Sequence, residues 1–391
     1  MIESLTTHHS PATPAIAFVI GTRPEAIKLA PVLRQVSLRR DLQSVIISSG
    51  QQRDLIGPAL AAFDLVPDYD LDLMQPGQSL ADLTAACMKG LAQKFAELKP
   101  SLVFVQGDTA TALAGAMAGF FNQIPVAHVE AGLRTHDQAA PFPEEANRQM
   151  ISRLATLHFA PTVDAKAHLL AEGIDPAAIE VTGNSVVDAL RILTPRIDRI
   201  PASVRIPSDR RLVLVTAHRR ENLGRPLDNI CTAIQRLSRR PELHFVFVTH
   251  PNPAAARTAR ERLAGRPNIT LVPPLPYLEM LRLVSDSWLI LTDSGGLQEE
   301  APSFRRPVLV LREQTERIEG LTSGAARLVG TRPKRIMEQV TRLLESPIEY
   351  EELTPSENPY GDGHASQRIV RTISRFIKRT IDTHEWTGHA A

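Results

Sequence analysis

VIGTRPEAIKLAP, residues 19–31, decides how the rest of the chain is read. An apolar run at 16–20 ends in Gly21, and an amphipathic run at 25–38 begins just after Pro24, so a strand, a tight turn and a helix follow one another directly. Pro24 suits the first helical turn, where its missing N–H costs nothing. Such units build parallel α/β sheets, whose ligands bind at the carboxyl ends of the strands. Arg23 lies at the turn and Lys28 on the helix's second turn, both able to face an anionic group. The alternative is that Arg23 closes a loop and Lys28 is solvated.

The same rhythm continues along the chain. Strands are expected at 16–20, 45–48, 102–105, 126–129 and 157–159, with helices at 25–38 and 80–98 among them. A second series has strands at 212–216, 244–249, 269–272, 288–291 and 307–311. Pro195, Pro201 and Pro207 interrupt helix and sheet pairing between the two series and mark 188–209 as linker and hinge. The expectation is an α/β protein of two domains, 15–187 and 210–365, with a cleft between them. Pattern alone assigns the helix at 366–377 to neither. The stretch 1–14, with His8, His9, Pro11 and Pro14 amid small polar residues, is expected to be disordered, and the tail 378–391 to fray.

Forty-four Lys and Arg against 43 Asp and Glu leave a formal charge of +1, which argues against a polyanion-binding surface and so against nucleic acid as a partner. No apolar run approaches the ~20 residues that span a bilayer, and a cytoplasmic location is expected. Cys87 and Cys231 lie far apart in helix-like segments, so neither a disulfide nor a metal site is expected from them.

Three carboxylates have unusual neighbours: Asp108 in VQGDTATALAG, Glu130 in HVEAGLRT, and Glu144 beside Glu145 in PFPEEANRQ. Each follows or trails an apolar run, which places it where a buried strand opens into a loop. Carboxylates gathered in one cleft push their pKa values apart, so that one accepts a proton while another holds one. That equips the chain for proton transfer at carbon.

The second series carries LTDSGGLQEEAP, a strand, a Ser-Gly-Gly turn and an acidic helix. Backbone N–H groups at Ser294, Gly295 and Gly296 can bind a pyrophosphate, and Glu300 can accept from ribose hydroxyls. The bland alternative is a helix capped by Ser294 in which Glu299 and Glu300 complement the dipole. VTAHRRENLGRP places His218, Arg219, Arg220 and Glu221 after the first strand of this series, suited to phosphate contact or to a leaving group. VTHPNP adds His250, and LREQTERIEG adds Arg312, Glu316 and Arg317. Arg317 either meets a phosphate or sugar, or pairs with Glu313 one turn earlier.

Taken in order, GTRPEAIKLAP, QGDTATALA, HVEAGLRT, PFPEEANRQ, TGNSVVDAL, HRREN, DSGGLQEEAP and NPYGDGHAS make the chain resemble the bacterial non-hydrolysing UDP-N-acetylglucosamine 2-epimerases, over residues 21–368. The resemblance implies two Rossmann-like domains in a glycosyltransferase-B-like arrangement, with the nucleotide sugar in the cleft between them. It implies that UDP is eliminated to leave an enzyme-bound 2-acetamidoglucal and is then re-added after protonation of the opposite face at carbon 2. No redox cofactor and no metal take part. Carried over by motif, Asp108, Glu130 and Glu144 are the acid/base residues, and His218 helps the departing diphosphate. Arg23 and Lys28 line the same cleft, with Arg134 beside them; Ser294, Gly295, Gly296, Glu300 and Arg317 hold UDP. A homodimer and a place in surface-polysaccharide synthesis are also implied.

Several positions depart from the family pattern. Relatives carry a QHRE-like or QHRQ-like segment, part of a second, activating nucleotide-sugar site, where this chain has Gln51, Gln52, Arg53 and Asp54. His250 fits the HPNP element of that regulatory site. Leu275 and Met280 stand where relatives often place polar and aromatic residues against uracil. Relatives that hydrolyse the substrate lack the Arg-Pro-Glu of residues 23–25. The rival readings are a 2-epimerase of another UDP-2-acetamido sugar, a UDP-sugar glycosyltransferase, and a non-catalytic sensor; the acidic trio favours elimination and re-addition.

Overall fold

The computed structural model describes residues 13–387 other than 76, 140, 203, 205, 218, 220–221 and 250–252. The first domain alternates seven strands, β1 (Ala15–Ile20), β2 (Gln43–Ser48), β3 (Tyr69–Asp70), β4 (Leu102–Gln106), β5 (Val126–Val129), β6 (Leu157–Ala160) and β7 (Ile179–Val181), with seven helices. These are α1 (Arg23–Ser37), α2 (Arg53–Ala61), α3 (Leu80–Leu98), α4 (Ala110–Phe121), α5 (Glu144–Leu154), α6 (Val163–Ala171) and α7 (Ser185–Ile197). The sheet is parallel, in the order β3-β2-β1-β4-β5-β6-β7. Both faces are covered: Ile16, Phe18 and Ile20 pack toward α1 and α7, while Ala17 and Val19 pack toward α3 and α4. Burial on both sides is why these strands read as continuous apolar runs.

The second domain contains β8 (Arg211–Thr216), β9 (Leu243–Val248), β10 (Ile269–Val272), β11 (Leu289–Thr292), β12 (Val308–Val310) and β13 (Ala326–Leu328), parallel in the order β10-β9-β8-β11-β12-β13. Its helices are α8 (Arg225–Leu237), α9 (Pro253–Leu263), α10 (Tyr277–Asp286), α11 (Gly295–Glu300), α12 (Ile318–Thr322), α13 (Pro333–Glu345) and α14 (Pro347–Leu353). Both sheets aim their carboxyl ends at one cleft.

Three points differ from the sequence reading. Strands β3, β7 and β13 were missed because two or three residues at a sheet edge carry no periodicity. The linker begins later than expected: α7 continues through Pro195 to Ile197, because Val186, Leu190, Leu193 and Ile197 bury an apolar face that outweighs one lost hydrogen bond. The first crossing between domains is therefore 198–210. Finally, α15 (Ala365–Thr387) docks on the first domain, where Ile369, Ile373 and Ile377 join the core of α1 and α7. Buried Asp188 on α7 caps this helix, accepting the Ala365 and Ser366 amides at 3.0 and 2.8 Å. The helix runs on to Thr387, past residue 378, from which the tail was expected to fray; residues 1–12 and 388–391 lie outside the described residues. Cys87 and Cys231 are free and buried.

Candidate active site

The turn after β1 is held by its own helix. Glu25, only 1% exposed, accepts the Gly21 and Thr22 amides at 2.7 and 2.6 Å, and its other oxygen accepts Thr109 Oγ1 at 2.5 Å. Burial holds the Glu25 carboxyl up at about 7, against these three donors. Thr109 is the N-cap of α4 and directly follows Asp108, so the first motif anchors the turn that carries the first acid. Around that turn, the ring of His128 donates through Nε2 to the Gly107 carbonyl at 2.8 Å, and Asn147 Nδ2 donates to the Asp108 carbonyl at 2.8 Å.

Glu130 follows β5 with φ of 66°, a left-handed conformation that a glutamate adopts only when its surroundings impose it. Its carboxylate accepts from Lys28 Nζ and from Gln106 Nε2, the latter at 2.6 Å, and lies 3.5 Å from Arg317 Nη2 of the second domain. Lys28 in turn meets Glu299 of the second domain at 2.8 Å. Burial lowers the Lys28 pKa, yet Glu130 and Glu299 outweigh it and raise it above the ordinary lysine value. Burial raises the Glu130 pKa, and nearby Glu299 adds to this, against Lys28 and Arg317.

Arg317 is the hub on the opposite wall. Its guanidinium contacts Glu299 at 2.9 Å, pairs with Glu316 and reaches Glu130. The sequence offered Glu313 as its partner; the chain between β12 and α12 instead turns Arg317 into the cleft. Burial works against the charge of Glu316, but Arg317, Arg219 and Arg312 hold its carboxyl well below the usual range. Arg219 donates its backbone N–H to Asp293 at 2.9 Å and approaches Glu316 at 3.4 Å, so it belongs to this wall.

The Ser-Gly-Gly turn is placed as expected but works differently in part. Ser294 caps α11, accepting from the Leu297 amide at 3.4 Å. A Cβ on Gly295 would lie 2.9 Å from Arg317 Cζ, so the missing side chain there makes room for Arg317 rather than only for a ligand. At Gly296 a Cβ would meet only Ser294 Oγ, at 3.7 Å, an ordinary contact without a clash. Glu300 accepts the Tyr277 hydroxyl at 2.9 Å, and burial holds its carboxyl up at about 7 with Arg23 among the groups easing its charge. The capping alternative for Glu299 does not stand: it is 1% exposed and ion-paired to Lys28 and Arg317.

Glu144 opens α5. Burial raises its pKa and Asp108 adds to this, while Arg219 and Arg148 oppose it. Asp108 itself faces Arg148 Nη1 at 3.5 Å. Each acid of the trio thus lies within the field of a second-domain arginine: Glu130 and Asp108 act on Arg317, and Arg219 acts on Glu144.

Arg134 was expected beside the acids. It is turned away into the first domain, paired with Glu172 at 2.6 Å and bonded to Ser152, because the chain after Glu130 folds back against α5 and α6. Gln51, expected in a regulatory site, spends its side-chain oxygen on Thr111 Oγ1 at 2.7 Å. His218, Arg220, Glu221, His250 and the side chain of Arg53 lie outside the described residues. Sequence reasoning missed Gln106, Glu299, Arg148 and the anchoring role of Glu25. Of these, Arg148 had a signal, since it lies one helical turn after Glu144 and Glu145. A groove of about 1030 Å³ opens elsewhere on the domain junction, lined by Thr162, Thr182, Arg191, Asn358 and Tyr360 among others. No member of the acidic trio lines it. Among the described residues, no group of three or more His, Cys, Asp or Glu is placed to hold a metal.

Two parallel α/β domains joined by ion pairs across the gap between them define an enzyme fold of the glycosyltransferase-B kind. A structure of the glycosyltransferase of kitacinnamycin, 14% identical, superposes with a TM-score of 0.65 over 93% of this chain and 99% of that one, a likeness of fold alone. A sequence profile described as UDP-N-acetylglucosamine 2-epimerase matches residues 34–374. The UDP-N-acetylglucosamine 2-epimerase of Yersinia pestis is 43% identical over 364 residues, 91% of this chain and 97% of that protein. The crystal structure of UDP-GlcNAc 2-epimerase from Neisseria meningitidis bound to UDP-GlcNAc is 41% identical, with a TM-score of 0.88 over 92% of this chain and 100% of that one. The chain belongs to the UDP-N-acetylglucosamine 2-epimerase family.

Proposed function

We propose that the protein interconverts UDP-N-acetylglucosamine and UDP-N-acetylmannosamine by eliminating and re-adding UDP. The observation that carries this is the opposition of the acidic trio on the first domain to Arg317 and Arg219 on the second. A carboxylate takes the proton at carbon 2, the C–H pair becomes the C1–C2 double bond, and the C1–O bond breaks with its pair leaving on UDP. Charge then develops on the diphosphate, where Lys28, Arg317 and the backbone at Gly296 support its stabilisation, with His218 as a further contributor. Protonation from the other face and return of UDP complete the inversion. Burial that raises the Glu130 and Glu144 pKa values supports a site in which one carboxyl carries a proton while another is charged.

Glu300, with Tyr277 and Arg23 beside it, is assigned to the ribose, and Ser294, Gly295 and Gly296 to the phosphates. Leu275 and Met280 pack partly buried at the edge of the second-domain core, which supports an apolar seat for the base. A homodimer is proposed from the resemblance, and exposed Phe120 and Phe121 at the end of α4 supply apolar surface for it. A cytoplasmic location and a role in polysaccharide precursor supply complete the reading. No helix among the described residues is long and apolar enough to cross a membrane. Substrate activation through Gln51, Arg53 and His250 would require Gln51 to release the bond it accepts from Thr111 Oγ1.

The test is incubation with UDP-N-acetylglucosamine in heavy water, followed by proton NMR. Deuterium at carbon 2 with both epimers still bound to UDP is the expected result; free sugar plus UDP would mean hydrolysis. Asp108→Asn, Glu130→Gln and Glu144→Gln should each lower turnover about a hundredfold, and near-full activity in all three would refute the site.

A further inference from the structure

We propose that Arg148 is the positioning residue of the Asp108 carboxylate, an inference that rests on the epimerase reading and adds to it a residue outside the acidic trio. Arg148 lies on α5, one turn beyond Glu144 and Glu145, and is 2% exposed. Its Nη1 lies 3.5 Å from Asp108 Oδ2 and its Nε 3.2 Å from Glu145 Oε2. Neither nitrogen has a hydrogen-bond partner among the described residues, although both are buried. A buried guanidinium without such partners is costly unless carboxylates offset it, and two face it here.

The two carboxylates are not equivalent. Glu145 is fully buried and already satisfied by the Thr135 and His136 amides at 3.0 and 3.2 Å and by Gln149 at 2.9 Å. It therefore needs no arginine to be held, and acts as the fixed counter-charge that keeps Arg148 in place. The Asp108 turn is likewise fixed through its backbone by His128, Asn147 and the Glu25–Thr109 bond. Its carboxylate is the part left over: partly exposed, and met on its buried side by Arg148. At 3.5 Å the contact is longer than the ~2.8 Å of a charge-assisted hydrogen bond. It orients one oxygen without saturating it, in a carboxylate that is partly exposed and whose charge acts on Arg317 of the opposite wall; contacts of this kind tighten once substrate is bound. Glu144, His128, Arg219 and Arg317 are other ionisable groups nearby, and Arg148 also eases the charge of Glu144.

A double-mutant cycle decides the matter, read by kcat, KM and deuterium incorporation at carbon 2 in Arg148→Met, Asp108→Asn and the double variant. The expected result is a fall in kcat of about thirtyfold or more for Arg148→Met with KM within about threefold of wild type, and less than about threefold further loss when it is added to Asp108→Asn. Arg148→Met/Glu145→Gln leaves no uncompensated buried charge; it guards against a fold failure and should show the same low kcat. Equal losses from Arg148→Met in the wild-type and Asp108→Asn backgrounds, or full recovery of kcat in Arg148→Met/Glu145→Gln, would make Arg148 a structural partner of Glu145 and overturn the proposal alone. A wild-type protein that neither epimerises nor exchanges carbon 2 would overturn the epimerase reading and this proposal with it.

Discussion

Replacing His128 with Gln tests whether the turn under Asp108 rests on a neutral buried histidine. The ring is fully buried, donates to the Gly107 carbonyl at 2.8 Å, and lies in register with His158 across β5 and β6. Burial lowers its pKa from 6.5 to about 3, with His158, Arg134 and Arg148 adding to the effect against the Gly107 bond. The unfolded imidazole takes up a proton below its ordinary pKa and the native ring does not, so acidification favours the unfolded state. From about pH 7.5 to about pH 5 this costs about 2 kcal/mol of stability, since the unfolded group passes from mostly neutral to mostly charged while the native group stays neutral. His158, lowered to about 4, contributes in the same direction. Glu25 and Glu300, held up at about 7, contribute in the opposite one, because they take up protons in the native state first. Gln keeps a donor for Gly107 and cannot titrate. The difference between wild type and His128→Gln therefore isolates the histidine. Guanidinium denaturation of both proteins at the two pH values should show the variant losing about 2 kcal/mol less than wild type on acidification. An identical loss in both would mean that the native ring protonates freely, and the argument from burial would fail.

Two further substitutions address the cleft wall and the returning helix. Gly295→Ala puts a methyl group 2.9 Å from Arg317 Cζ, in a guanidinium held by three carboxylates, and should cost about 1–3 kcal/mol of strain or displace Arg317; unchanged melting temperature and unchanged UDP affinity would show that the arginine yields without consequence. Asp188→Ala removes the acceptor for the Ala365 and Ser366 amides and the Ser366 hydroxyl, so α15 should lose about 1–2 kcal/mol of local stability, seen as faster hydrogen exchange in its first turn and sinking the capping role if exchange is unchanged.

Most of the sheet framework was legible in the chain itself. Strands buried on both faces announce themselves as apolar runs, and β5 and β10 fall on the residues the pattern marked, as does helix α3. The acids were legible because loops after such strands are where polar residues can be presented. Edge strands of two or three residues had no period to show, and a helix that runs through proline was read as a linker.

The amino-acid order by itself determined two parallel α/β units, the strand ends that carry Asp108, Glu130 and Ser294, and the family. Only the tertiary structure decided which charges meet: Lys28 with Glu130 and Glu299, Arg317 with Glu130, Arg148 with Asp108, and Arg134 with Glu172 away from the cleft. Periodicity and turn chemistry act over a few neighbouring residues, whereas the ion pairs across the cleft, Lys28 with Glu299 and Glu130 with Arg317, join groups far more than a hundred residues apart. Its partners are chosen by how two separately formed sheets come to face each other.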